Sequence, residues 1–127
     1  MFELDLKSRK PISDQIIDQI KGLIVSGVMK PGEKVLSVRD LAANLTVNPN
    51  TVQKAYRNLE QQGYIYTSPG RGTFVSDAED IAPSPEEIRR AEGHLKESIE
   101  KLYLLSISKE EAMKMIEDEM KKWGDWK

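Results

Sequence analysis

Asn50, Thr51, Gln53, Lys54 and Arg57 fall within eight residues of one another, and their side chains are those that hydrogen-bond base edges and phosphates. An asparagine or glutamine amide pairs bidentately with adenine, while a guanidinium or ammonium reaches guanine or a phosphate. Between them stand Val52, Ala55, Tyr56 and Leu59, spaced i, i+3, i+4 and i+7, which makes one apolar stripe on a helix. The polar set therefore occupies the opposite side. Asn50, Thr51 and Gln53 lie in the first turn, the end that a recognition helix presents to a groove. Most amphipathic helices have a solvated polar side, so the neighbouring elements must decide between DNA reading and plain hydration.

Val38, Leu41, Ala42 and Leu45 carry the same offsets fourteen positions earlier, and only Thr46-Val47-Asn48 interrupts. Two helices joined so tightly cross steeply, as in a helix-turn-helix. Ser37 with Asp40 three residues on reads as a helix N-cap pair. Asn48-Pro49 is a stronger start signal, a capping side chain followed by a proline fixed in helical φ. After Gly63 come Tyr64-Ile65-Tyr66-Thr67, a turn at Ser68-Pro69-Gly70-Arg71-Gly72, and Thr73-Phe74-Val75, together a β-hairpin. A helix-turn-helix followed by a hairpin is the winged arrangement. Arg71 lies between Gly70 and Gly72, which let the backbone come close to another surface while the arginine enters a minor groove or holds a phosphate. A nucleotide-binding loop is excluded, since the third glycine and the following helix are missing.

On either side the signals are structural. Phe2, Leu4 and Leu6 alternate with polar residues and predict a short strand, and Pro11 suits the first turn of a helix with the stripe Ile12, Ile16, Ile20, Leu23 and Ile24. Gly27 is its stop, and Lys30-Pro31-Gly32-Glu33 is a turn. Tyr56, Leu59, Ile65 and Phe74 are expected in the core. Residues 77–83 read as a linker. Ser84-Pro85-Glu86-Glu87 and Ser108-Lys109-Glu110-Glu111 are capping boxes that open two tail helices. Their apolar residues include Ile88, Leu95, Ile99, Leu102 and Tyr103 on the first, then Met113, Ile116, Met120 and Trp123 on the second. Two such helices cannot bury their stripes alone, so the tail is expected to form a helical hairpin that pairs with the same tail of another subunit. Trp126 reads as a frayed terminal residue. The fold class is α+β: a winged helix-turn-helix over residues 1–76, the linker, and a two-helix dimerisation segment over 84–127.

Composition excludes several classes. The chain has no cysteine and one histidine, His94, so neither a thiolate nor a multi-histidine metal site assembles in one subunit, and no cofactor is expected. No Ser/His/Asp or Cys/His set exists, so no enzyme is expected. The carboxylate pairs sit at helix N-termini, where the macrodipole explains them. No run of eighteen apolar residues spans a membrane, no signal peptide opens the chain, and a cytoplasmic location is expected. The net charge of −2 hides an asymmetry: residues 1–76 hold 10 Lys/Arg against 7 Asp/Glu, and residues 77–127 hold 9 against 14. Phosphate binding depends on local charge, so the basic N-terminal part is where a nucleic acid would bind.

On these residues the chain resembles the GntR family of bacterial transcription regulators. The matching segments are Pro31-Gly32-Glu33-Lys34, Ser37-Val38-Arg39-Asp40-Leu41-Ala42, Val47-Asn48-Pro49-Asn50-Thr51-Val52, Lys54-Ala55-Tyr56, Leu59-Glu60, Gly63 and Gly70-Arg71-Gly72-Thr73-Phe74-Val75. The Asn-Pro-Asn-Thr form and the two-helix tail resemble the YtrA subfamily. The resemblance implies a homodimeric repressor on a palindromic double-stranded DNA operator. By position it places Ser37 and Arg39 at the start of the first motif helix, against DNA. Asn48, Asn50, Thr51 and Gln53 come at the major groove, Lys54 and Arg57 toward phosphates, and Gly70, Arg71 and Gly72 in the wing contact. Leu36 stands where the family usually has proline, and Ser13 where it often has an aromatic. A small-molecule effector, if used, belongs at the dimer or interdomain interface, because two helices enclose no pocket. The alternative is a winged-helix protein-interaction module that binds no DNA, since fold alone does not fix the partner.

Overall fold

The computed structural model of the chain describes residues 3–81 and 83–124, so the expectations on Phe2 and Trp126 lie outside the described residues. It divides into two compact units, Met1–Ala82 and Pro83–Lys127.

In the first unit α1 spans Ile12–Val25, α2 Val38–Leu45 and α3 Pro49–Gln61. Both α1 and α2 pack on α3. The stripes meet as their spacing requires: Ile16, Ile20, Leu41, Val52, Ala55 and Leu59 are buried in one core with Val35, Ile65 and Val75. Burying each of the larger aliphatic side chains contributes about 1.5–3 kcal/mol, which is what fixes the crossing of the short α2. Thr46 ends α2 in the left-handed region at φ 55, turning the chain within three residues into α3. Pro11 sits one position before its expected place, as the N-cap of α1.

The sheet has three strands where two were expected. β1 (Lys34–Val35), β2 (Ile65–Ser68) and β3 (Gly72–Val75) are antiparallel in the order β1-β3-β2. Lys34 pairs with Phe74 and Val35 with Thr73, while Tyr66 faces Phe74 from the other side. With a period of two, Val35, Ile65 and Val75 point into the core, and Lys34, Tyr66 and Phe74 point away from it. Phe74, expected in the core, instead stacks on Tyr66 with ring centroids 5.7 Å apart. Two residues are too few to show alternation in a sequence, which is why β1 reads there only as the end of a turn.

The expected strand over residues 2–7 does not form among the described residues. Its backbone pairs with side chains instead. The Gln19 amide accepts from the Glu3 N–H at 2.9 Å and donates to the Glu3 carbonyl at 2.6 Å. One turn earlier on α1, Gln15 accepts from the Asp5 N–H at 2.8 Å and donates to the carbonyls of Asp5 and Lys10, both at 2.9 Å. Two glutamines at i, i+4 thus take the place of a neighbouring strand.

In the second unit α4 spans Pro85–Leu104 and α5 spans Lys109–Lys121, each capped by its serine. Part of the expected linker is ordered, as a single 3-10 turn at Ala78–Asp80 that precedes this unit. Ser106 adopts φ 60, and the Ile107 N–H donates back to the Leu102 carbonyl at 3.0 Å, a Schellman-type ending. α4 and α5 do not close on one another as α1 and α3 do. The tail is thus two helices joined at an elbow, and no residue of either helix is buried.

Candidate nucleic-acid interface

Helix α3 sorts its residues by side. Val52, Ala55, Tyr56 and Leu59 are 5% exposed or less, whereas Asn50, Gln53, Lys54 and Arg57 are all exposed and Thr51 is half-buried. The inward stripe anchors the helix, and the outward amides and cations stay open to solvent. Among the described residues the ion pairs are Lys10–Asp18, Lys96–Glu92 and Lys122–Glu119, so Arg39, Lys54, Arg57 and Arg71 have no carboxylate partner. None of the four is neutralised by a close ion pair, and residues 1–76 carry 10 Lys/Arg against 7 Asp/Glu, so the local charge balance is positive although the chain total is negative.

Two of the expected site residues hold the structure in place as well. The Asn48 Oδ1 accepts from the Asn50 N–H at 2.8 Å, and the Ser37 Oγ accepts from the Asp40 N–H at 3.1 Å. Each closes a helix N-terminus, leaving the Asn48 amide NH₂ as the part of that side chain still open. Arg39 follows in the first turn of α2, exposed.

The wing tip is a four-residue turn. The Arg71 N–H donates to the Ser68 carbonyl at 2.9 Å, with Pro69 at the second position and Gly70 at φ 78 in the third. That is the residue order a type II turn demands, and it leaves Arg71 exposed just beyond it. The wing is tied to α3 as well: the Glu60 Oε1 accepts from the Thr67 N–H at 3.2 Å. Glu60 lies one turn beyond Arg57, and Thr67 directly precedes the tip, so this bond links the exposed side of α3 to the wing. Sequence reasoning missed the role of Glu60, because a carboxylate on a polar helix side has no signal of its own.

Tyr56 carries the last positional constraint. Its hydroxyl donates to the Leu36 carbonyl at 2.6 Å, and burial pushes its ionisation well above the ordinary tyrosine range. A groove of about 190 Å³ opens beside it, lined mainly by Ile20, Leu23, Met29, Val35 and Leu41. No cluster of metal-ligating side chains occurs among the described residues, and none of their helices is long and apolar enough to cross a membrane.

The profile of the "Bacterial regulatory proteins, gntR family" matches residues 12–75, which covers α1 through the end of the wing. The chain belongs to the GntR family. Its members are DNA-binding transcription regulators and not enzymes. The chain is 52% identical over 77 residues to the HTH-type transcriptional repressor YtrA of Bacillus subtilis, covering 61% of this chain and 59% of that protein. It thus spans less than two thirds of that relative's length. A crystal structure described as a transcriptional antiterminator from Listeria monocytogenes EGD-e superposes with a TM-score of 0.88 at 40% identity, over 99% of this chain and 94% of that one. The DNA-binding domain of AraR, solved in complex with operator ORE1, matches at TM-score 0.51 and 29% identity, over 60% of this chain and 93% of that one. The winged helix-turn-helix expected from the residues is the fold of this family.

Proposed function

We propose that the chain is a homodimeric repressor that binds a palindromic operator, with α3 in the major groove and the wing beside the adjacent minor groove. One observation carries this reading: the side chains of Asn50, Gln53, Lys54 and Arg57 stand exposed, with no hydrogen-bond or ion-pair partner among the described residues, on a helix whose other side is locked into the core. Asn50 and Gln53, with Thr51 beside them, read base edges. Lys54, Arg57 and Arg39 hold phosphates, and Gly70, Arg71 and Gly72 form the wing contact. Ser37 and Asn48 orient the helix ends and present their remaining polar atoms to the backbone. That the similar AraR DNA-binding domain was solved in complex with an operator supports the DNA-binding reading.

Two subunits joined through Ile88, Leu95, Ile99, Leu102, Tyr103, Met113, Ile116, Met120 and Trp123 would present two α3 helices about 34 Å apart, or a multiple of that, matching a two-fold DNA site. Such a protein works in the cytoplasm, where the chromosome lies. An effector that releases it would sit at the dimer or interdomain interface.

Selection of bound sequences from random DNA tests partner, symmetry and spacing together. The expected outcome is an inverted repeat. Asn50→Ala and Gln53→Ala then relax discrimination at particular bases by about 1–3 kcal/mol each, whereas Arg57→Ala weakens binding to every sequence alike. No enrichment at low salt, or all three variants behaving as wild type, overturns the assignment.

A further inference from the structure

The third strand brings a cation to the wing. Lys34 pairs across the sheet with Phe74, and its side chain leans along β3 toward the tip. A Cβ built on Gly72 would lie 2.8 Å from the Lys34 Cε and 3.5 Å from its Nζ, so the lysine stem occupies the space that a side chain at Gly72 would fill. Gly72 also has φ 126, a conformation that glycine adopts without strain. The Lys34 ammonium thus rests beside Gly72, one residue from Arg71.

Nothing among the described residues neutralises that ammonium. The adjacent acid is engaged elsewhere, for the Glu33 Oε2 accepts from the Lys30 N–H at 2.8 Å and is drawn back into the preceding turn. Lys34 itself is exposed. Its stem lies along glycine backbone and its head stays in solvent, which leaves the ammonium available to an anion.

We propose that Lys34 is a positioning residue of the DNA complex, holding a phosphate beside the wing so that Arg71 is set at its depth. This rests on the DNA-binding reading above. It makes the wing contact a product of all three strands.

The test is a titration of wild type, Lys34→Met and Lys34→Arg against the selected operator and a random-sequence duplex, over a range of salt. Methionine keeps an unbranched stem over Gly72 and removes the charge; arginine keeps the charge. The expected result for Lys34→Met is an equal fold-loss on both duplexes. Its slope of log affinity against log salt is expected to be shallower by about 0.9, the value of one phosphate contact. Lys34→Arg restores that slope. An unchanged slope in Lys34→Met, with or without lost affinity, overturns the proposal while leaving the DNA-binding reading intact. A wild type that binds neither duplex overturns both.

Discussion

The Tyr56 hydroxyl donates to the Leu36 carbonyl at 2.6 Å, joining the buried side of α3 to the backbone that leads into α2. Leu36 occupies the position where the family usually has proline, so the rigidity that a ring would give there is supplied from another element. The bond spans the helix-turn-helix from its beginning to the middle of its second helix. It fixes the two helices against each other at the residue next to Ser37, the cap of α2.

Tyr56→Phe removes that bond while keeping the ring in the core. The loss of stability is expected at about 0.5–1.5 kcal/mol, toward the low end because Leu36 is partly open to water. A pH series reports on the burial of the hydroxyl itself. Burial raises the folded-state ionisation of Tyr56 above its unfolded value near 10, so its contribution is complete below about pH 10 and is lost as pH climbs from there toward the folded value. Denaturant midpoints of the two proteins should differ by a constant amount from about pH 6 to 9 and converge above pH 10. A gap that stays constant through pH 11 would mean that the hydroxyl is open to solvent in the folded protein.

Gln15→Ala removes three hydrogen bonds to the N-terminal segment from a buried amide. A cost of about 1–3 kcal/mol is expected, against less than about 1 kcal/mol for Gln19→Ala, whose amide is more exposed. Hydrogen exchange gives the site-specific reading. The Asp5 amide is protected in wild type and in Gln19→Ala, and exchanges freely in Gln15→Ala. Equal protection in all three would mean that the segment is held by something other than these amides.

Helices were the most legible part of the fold because each announces itself several times over. Asn48-Pro49, the stripe from Val52 to Leu59 and the terminal Gly63 agree on one element, and α3 runs from Pro49 to Gln61. Leu4 and Leu6 showed the limit of pattern: alternation says that a segment is extended, but not that another strand is available to pair with it, and here two glutamine side chains do so. Lys34 and Val35 showed the converse, a strand too short for any period, visible only once β3 is beside it. Within the site, exposure of the outward residues followed from burial of the stripe. The double engagement of Ser37 and Asn48 as caps followed from local signals already present. The links from Glu60 to Thr67 and from Lys34 to Gly72 depend on the sheet docking against α3, which no local spacing encodes.

Glu60→Ala and Glu60→Gln separate the charge of that residue from its hydrogen bond. Glutamine keeps an oxygen that can accept from the Thr67 N–H, and alanine does not. Protection of the Thr67 amide is expected to persist in Glu60→Gln and disappear in Glu60→Ala, with a loss of about 0.5–1.5 kcal/mol in the latter. If the wing is set by this bond, discrimination at the bases under Arg71 weakens only in Glu60→Ala. Thr67 protection that survives in Glu60→Ala assigns the wing's position to the core residues Ile65 and Val75 alone.

The tail sets the last expectation. Leu95 is 53% exposed, Ile99 49% and Tyr103 81%, on an α4 that buries no residue within its own chain. Apolar side chains repeated along a helix at that exposure call for a covering surface, and a second α4–α5 elbow offers one of the same length and chemistry. In a two-fold pair each substitution counts twice. Half of each Ile99 is already covered, so Ile99→Lys removes about 1.5–3 kcal/mol of apolar burial over the two copies, roughly a 10- to 150-fold rise in the dimer Kd. Sedimentation analysis is expected to show wild type as a dimer at micromolar concentration and Ile99→Lys as a monomer. The monomer keeps wild-type affinity for a single half-site and loses the added affinity of the full inverted repeat, because α3 is untouched and only the linkage is gone. An Ile99→Lys protein that still sediments as a dimer places the interface elsewhere on the chain.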